Sequence, residues 1–135
     1  MRLNPLNKGI LMSFAATKQF VIQEHTTPNG VHWDLMLEMD DCLWTWRLNT
    51  PPAEIKDKPI PAERIHNHPL RFLTYEGPVQ NNTGHVKIAD KGAFTLCKQN
   101  NIELTLELDG NILNGTYLLS QTPNIPLWIF QLQPK

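Results

Sequence analysis

Residues 102–108, IELTLEL, show most plainly how this chain folds. Three leucines alternate there with polar residues, and this period of two is typical of a strand with one buried and one wet face. The same alternation in HWDLMLEM, residues 32–39, assigns one face of that stretch to the core. The two stretches together predict a core that includes Trp33, Leu35, Leu37, Leu104, Leu106 and Leu108.

Other short segments have the same character, being rich in β-branched and aromatic residues and bounded by Gly, Pro, Asn or Asp. The motifs DDC, DKG and DGN mark tight turns, which predict antiparallel hairpins. About eight strands in one small domain predict an all-β fold, a compact antiparallel β-barrel, because closure removes exposed sheet edges. The further predicted strands are 18–25, 42–48, 70–77, 84–90, 92–99, 112–119 and 127–133.

One stretch departs from this pattern of short strands and turns. Residues 50–69, TPPAEIKDKPIPAERIHNHP, contain five prolines, which cannot donate the backbone hydrogen bonds of a central strand. We therefore predict one long proline-rich surface loop, with a helical turn around PAERI as an option. Long loops are usually functional or disordered, and this one ends in two histidines, so we expect it to contribute to function.

The chain of 135 residues fits a single domain, which we place at 18–135 behind a flexible N-terminal tail at 1–17. A formal net charge of -1 gives no bulk attraction to nucleic acid or membranes, so any polyanion site must be local. No run approaches the ~20 apolar residues that a membrane helix needs.

The first residues have some features of a signal peptide, but Pro5 and Ser13 interrupt them, and Met12 is an alternative start. Cys42 and Cys97 lie far apart in strand-like runs and form no CxxC motif, which predicts buried reduced thiols. Both observations favour a cytoplasmic protein.

The stretch HTTPNGVHWDLMLE, residues 25–38, sets two histidines and an aspartate around a turn. Alternation puts His32 and Asp34 on one face, pointing away from the core, and antiparallel pairing would bring His25 back beside His32. Two imidazoles and a carboxylate suit manganese, iron or zinc and leave positions open for water and substrate. The alternative is a polar surface pair that only makes hydrogen bonds.

The other histidines fall in the same part of the chain, between residues 25 and 85. His68 precedes Pro69, where it either donates to an anion or caps a turn. We interpret His66 and His85 as surface residues.

The ordered series FVIQEH, HWDLMLE and LWTWRL, followed by HNHPLRFLTYEGPV, DGNILNGTYLL and LWIF, resembles the 3′-phosphoesterase module of bacterial DNA ligase D, and best its stand-alone versions. The likeness runs from about Phe20 to Leu132. It implies a manganese-dependent β-barrel that acts on DNA 3′ ends, removing a 3′ phosphate or a terminal ribonucleotide. A separate DNA ligase or polymerase would be the partner, and we expect a monomer.

Position by position, the resemblance places the family's metal ligands on His25, His32 and Asp34, and its phosphate-contacting histidine on His68. These four are the implied catalytic residues. The family's conserved glutamine falls on Gln23, which would bond to the phosphate or to a water on the metal. His68 would neutralise charge on the phosphate or protonate the leaving group.

The chain also departs from the family. Met36 stands where the ligase-attached modules have a phosphate-binding arginine, and Thr50, Phe72 and His66 replace a lysine, a tyrosine and an acidic residue. We expect Arg47 first to restore a phosphate contact, because arginine pairs well with phosphate oxygens. The other candidates are Arg64, Arg71 and Lys58.

Three hypotheses follow from these features. The first is a metal-dependent phosphoesterase of DNA or RNA-capped DNA 3′ ends, weakened by the missing contacts. The second is a catalytically weak or inactive module of the same fold that binds DNA ends or a repair partner. The third is a small β-barrel that binds an unrelated ligand, such as a sugar.

Overall fold

A computed structural model describes residues 17–134 of the chain. The predicted tail at 1–17 lies outside this range except for Thr17. Short 3-10 helices at Pro52–Glu54 and Leu70–Leu73 interrupt an otherwise all-β structure. The strands are β1 (Lys18–Thr27), β2 (Gly30–Met39), β3 (Cys42–Leu48), β4 (Ile60–His68), β5 (Gly77–Val79), β6 (Gly84–Asn100), β7 (Glu103–Gly110), β8 (Asn114–Gln121) and β9 (Trp128–Leu132).

The strands form a closed antiparallel barrel, as predicted. Their order is β1-β2-β3-β4-β9-β8-β7-β6-β5, and a further pairing of β1 with β6 closes the barrel over eight strands. The short β5 adds to the edge of β6 beyond the closed barrel.

The barrel interior is the main core, and it contains the predicted leucines. Leu35, Leu37, Leu104, Leu106 and Leu108 are fully buried together with Phe20, Ile22, Trp46 and Phe130. Trp33 is only partly buried and packs against the margin of this cluster. The alternation of strand residues therefore predicted the inner face of the barrel correctly.

The predicted proline-rich loop is wrong in its second half, because residues 60–68 form β4 and PAERI is extended rather than helical. Pro61 is the second residue of this strand, where the ladder with β9 only begins. The other four prolines of the stretch lie outside the strand. Proline at a strand's start costs little pairing, so the five prolines did not exclude a strand between them.

Two further boundaries differ from the prediction. The DKG motif is not a turn, because β6 continues through it and pairs first with β1 and then with β7. Gly92 permits this change of partner, since a Cβ there would collide with the Asp109 carbonyl. Residues 70–77 are not a strand but a 3-10 turn and an irregular segment that ends at β5.

Both cysteines are free, yet neither is buried as predicted. Cys42 is half-buried and Cys97 is exposed. Cys97 lies at a register shift between Leu96 and Lys98 in the β6–β7 ladder, where alternation breaks. Within residues 17–134, no helix has the length and apolarity required to cross a membrane.

The outer face of β1, β2 and β3 carries a second, smaller core. Val21, Met36 and Leu43 are buried there against Phe72 and Leu73. Phe72 and Leu73 belong to residues 69–76, a segment that we call the strap. The strap partly encloses the outer face of these strands, and the candidate site lies beside it.

Candidate metal centre

The pairing of β1 and β2 sets the site. His25 lies directly opposite His32, and Gln23 lies opposite Asp34. The next strand, β3, places Arg47 opposite Asp34. The turn between β1 and β2 holds this register, because the Thr27 hydroxyl accepts from the Asn29 amide and donates to the Gly30 carbonyl.

Three potential ligand atoms converge as the sequence predicted. His25 Nδ1 lies 3.1 Å from His32 Nε2. Asp34 Oδ2 lies 3.5 Å from His32 Nε2 and 3.9 Å from His25 Nδ1. Bonds of about 2.0–2.2 Å from one divalent ion produce ligand separations of this order.

The carboxylate of Asp34 is buried without a hydrogen bond among the described residues. Its Oδ1 lies 3.7 Å from Arg47 Nε, too far for a hydrogen bond, and both atoms lack a partner. Burial raises the pKa of Asp34 to about 6, and the positive charge of Arg47 opposes this rise. The sequence predicted a face that points outward, so the depth of this carboxylate is a finding of the structure.

The two imidazoles are held in the form that binds metals. Burial lowers the pKa of His32 to about 4, with the charge of Arg47 as the next cause. The pKa of His25 is lowered by the same two causes. Both rings are therefore neutral near pH 7, and a neutral imidazole is the ligand that divalent transition metals take. An unsatisfied buried carboxylate beside two neutral imidazoles fits such an ion.

His68 lies at the end of β4, and its tautomer follows from its neighbours. The Thr45 hydroxyl donates to the Leu43 carbonyl at 3.1 Å, so it can only accept from His68 Nδ1, which lies 2.9 Å away. The proton is thereby assigned to Nδ1, and Nε2 carries the lone pair. Burial lowers the pKa of His68, with the nearby His66 as the next cause.

A cavity of about 480 Å³ adjoins the metal ligands. The structure brings His25, Asp34, Gln23 and His68 together in its wall, but not Arg47. Arg47 instead lines a second, more polar hollow of about 550 Å³, which shares His25 with the first and contains His32. The candidate metal centre therefore opens on two sides.

The side chain of Gln23 is already engaged. Its Nε2 donates to the carbonyls of Phe72 and Tyr75, both at 2.9 Å, which fastens the strap onto β1. Only Oε1 remains, and an amide oxygen accepts but does not donate hydrogen bonds.

The four candidate cations have separate surroundings. Arg64 lies over the rings of Trp44 and Trp46 and donates to backbone carbonyls of Thr45 and Ile65. Arg71 lines the 480 Å³ cavity, where its guanidinium lies 4.4 Å from the centre of the Phe72 ring. Arg47 faces Asp34, and Lys58 is exposed.

Sequence reasoning missed three contributors to the site. Thr45 orients His68, and no motif marks it. His66 is exposed as predicted, yet it lines the cavity and stacks on His68 with ring centroids 4.6 Å apart. A Cβ on Gly84 would come within 2.9 Å of His25 Nε2, so a glycine is required behind that ring. A glycine within a strand is the one signal that could have identified it.

Comparison with known proteins identifies the family. The model of the family described as the DNA ligase D 3′-phosphoesterase domain matches residues 23–121. The multifunctional non-homologous end joining protein LigD of Pseudomonas aeruginosa is 28% identical over 112 residues, covering 77% of this chain and 13% of that protein. The protein of the same name from Mycolicibacterium smegmatis is 27% identical over 118 residues, covering 77% of this chain and 15% of that protein.

The chain therefore spans only about an eighth to a seventh of the length of these curated relatives. The family match covers well over half of the chain, and it includes all three candidate metal ligands as well as His68. This chain belongs to the DNA ligase D 3′-phosphoesterase domain family.

Proposed function

We propose that this chain is a metal-dependent phosphoesterase that trims nucleic-acid 3′ ends in DNA repair. It would remove a 3′ phosphate or a terminal ribonucleotide from DNA, so that a separate DNA ligase or polymerase can act on the end. One observation carries the proposal: three donor atoms from His25, His32 and Asp34 converge beside a cavity that also contains His68.

The proposed cofactor is Mn²⁺, with other divalent transition metals as alternatives, held by His25, His32 and Asp34. Such an ion, when bound, polarises a phosphoryl oxygen and activates water. Manganese accepts mixed nitrogen and oxygen ligands, and the family supports this choice over iron or zinc.

The chain's own residues have distinct roles in this proposal. His68 exchanges a proton with the substrate through Nε2, while Thr45 holds its ring in place. Gln23 accepts a hydrogen bond from a water molecule through Oε1 and fixes the strap. Arg47 stabilises the ionised form of Asp34 and is a candidate for contact with the phosphate.

The test uses the full chain and a 5′-labelled primer that ends in a 3′ phosphate or in one ribonucleotide. Turnover should require added Mn²⁺ and should be lost in His32→Ala, whereas His85→Ala should behave like the wild type. His85 is a matched control because it is an exposed histidine on β6. Equal turnover in a chelator, or undiminished turnover in His32→Ala, would contradict the proposal.

Two apolar residues in the cavity favour a second candidate function, a module that binds 3′ ends or a repair partner without turnover. Met36 and Phe72 line the cavity at positions where the resemblance implies an arginine and a tyrosine in the ligase-attached modules. A pure binder would retain the labelled primer in a gel-shift assay and release no product over long incubation with Mn²⁺. Product release at any rate above that of His32→Ala would exclude it.

We further propose that residues 18–135 act as one domain, that the protein is a monomer, and that it works in the cytoplasm beside its partner ligase.

A further inference from the structure

We infer that the cavity beside the metal centre takes a terminal nucleoside, so that the chain hydrolyses a 3′-terminal phosphodiester faster than a 3′ phosphate monoester. This inference rests on the proposed function. It concerns the walls of the 480 Å³ cavity and the group that occupies it.

The charges around the cavity disfavour a monoester. A phosphate monoester carries about -1.5 to -2 charges at pH 7, whereas a diester carries one. Among the described residues that line the cavity, Arg71 is the only lysine or arginine, and it is exposed. Met36 and Phe72 provide no donor to phosphate.

Two other potential donors offer no free N–H group to this cavity. Both amide hydrogens of Gln23 bond to strap carbonyls, and Arg47 faces Asp34 and lines the other hollow. Because the second negative charge of a monoester has few partners here, losing these contacts costs a monoester more than a diester.

The cavity has the size and the surfaces for a nucleoside. A volume of about 480 Å³ lies in the range of small-molecule sites and far exceeds what a phosphate group fills. The rings of His66 and His68 are stacked, and Phe72 meets His68 edge-on at 5.6 Å. Nucleobases that leave a duplex stack on such rings and on arginine planes.

A short turn adds hydrogen-bonding groups to this cavity. The amide side chains of Gln80, Asn81 and Asn82 line it. All three residues adopt left-handed backbone angles, with φ of 55°, 57° and 70°. The Thr83 amide and hydroxyl both bond to the Gln80 carbonyl, which holds the turn. Asparagine and glutamine amides match the donor and acceptor edges of bases.

The reaction then proceeds at the phosphorus that joins the strand to its last nucleoside. The oxygen of water bonds to phosphorus, and the bond between phosphorus and the nucleoside 5′ oxygen breaks, because the nucleoside shares the cavity with His68. The 5′ oxygen takes a proton that His68 Nε2 has first accepted from solvent, and the attacking water releases a proton to solvent, so the ring returns to its starting form. The products are a free nucleoside and a strand with a 3′ phosphate.

The test compares two primers of one sequence, one ending in a ribonucleotide and one in a 3′ phosphate, with the full chain and Mn²⁺. The ribonucleotide end should be cleaved at least about tenfold faster, the effect of one missing charge-assisted contact, and the 3′ phosphate product should accumulate. Equal or faster turnover of the 3′ phosphate would overturn this inference alone. If neither primer is processed, the proposed function fails, and the inference fails with it.

Two variants test the walls separately. His66→Ala removes an exposed ring and should raise KM for the ribonucleotide end at least about fivefold, and for the phosphate end less. Met36→Arg should increase turnover of the 3′ phosphate primer more than turnover of the ribonucleotide primer. The rate advantage of the ribonucleotide primer should therefore become smaller. His85→Ala is the control for both. If His66→Ala changes KM equally for the two primers, the nucleoside does not stack there, and this outcome contradicts the inference even where Met36→Arg fails to fold.

Discussion

Two aspartates, Asp34 and Asp90, are almost completely buried in this barrel, with exposed fractions of 3% and 1%. Asp90 accepts four backbone amides: its Oδ1 bonds to Lys91, Asn111 and Ile112, and its Oδ2 to Leu113, all at 2.9–3.0 Å. Asp34 accepts no hydrogen bond among the described residues and faces two imidazoles and a guanidinium at 3.5–3.9 Å.

This difference in hydrogen bonding indicates that Asp90 has a structural role and Asp34 a functional one. Buried polar groups are normally satisfied, and Asp90 meets this rule by tying the turn after β7 to β6. Asp34 breaks the rule at the point where the two histidines converge. A buried carboxylate that lacks donors costs stability, which is expected where a site is kept ready for a cation.

The largest expected effect is on Asp90. Asp90→Ala leaves four backbone amides without their acceptor and should lower the free energy of unfolding by about 3–5 kcal/mol, since each buried unsatisfied group costs about 1–3 kcal/mol. Urea denaturation of the metal-free protein measures this. Asp109→Ala, an exposed aspartate in the same turn region, is the control. A loss no greater than that of the control would show that the amides find water instead.

Removal of a candidate metal ligand should leave the fold intact and weaken metal binding strongly. His32→Ala should weaken Mn²⁺ affinity by at least about a hundredfold, because even the loss of a residue that only hydrogen-bonds to a metal ligand costs about 10–100-fold. Isothermal titration calorimetry measures the affinity, and denaturation of the metal-free protein should show little change. Undiminished affinity in this variant would remove the central claim about the site.

Asp34→Asn should stabilise the metal-free protein, the opposite of the change at Asp90. Burial raises the pKa of Asp34 from 3.8 to about 6, so the folded state disfavours the ionised form, and stability is lost as pH rises through this window. The variant should therefore gain about 1–3 kcal/mol relative to the wild type near pH 7 and little near pH 3.5. Chelator-treated samples unfolded in urea at both pH values provide the measurement. A difference that does not grow with pH would mean that Arg47 already compensates the charge.

The same denaturation experiment also tests whether the histidines make stability depend on pH. Their pKa values are lowered by burial, so the unfolded chain binds protons more readily, and both proteins should lose stability as pH falls below 6.5. This loss is common to wild type and Asp34→Asn, so it cancels from the difference between them.

The convergence of the three candidate metal ligands was predictable because it depends on local rules. Alternation places His32 and Asp34 on one face, and the turn between β1 and β2 fixes His25 opposite His32. The barrel followed from strand length and turn residues. The exception was β4, where prolines at one end of a strand concealed the strand itself.

The surroundings of the ligands were not predictable in the same way. Alternation distinguishes two faces of a strand, but it does not show that the strap covers the outer one. The burial of Met36, the engagement of Gln23 and the stacking of His66 on His68 all depend on contacts between segments distant in sequence. For the same reason Thr45 carried no recognisable signal, and Gly84 was marked only as a glycine in a strand.

Gly84 offers the smallest and most specific perturbation of the site. A methyl group at this position would lie 2.9 Å from His25 Nε2, closer than real Cβ contacts allow, so the imidazole must shift. Gly84→Ala should therefore weaken Mn²⁺ binding by about 3–10-fold, a misplacement effect well below that of ligand loss.

Gly110→Ala is the matched control, because its Cβ would crowd Phe20 and Asp90 instead of the metal ligands. It should lower stability and leave the affinity of the folded protein unchanged. If both glycine variants change stability and neither changes affinity, His25 is not held by its packing against Gly84, and the metal would orient that ring unaided.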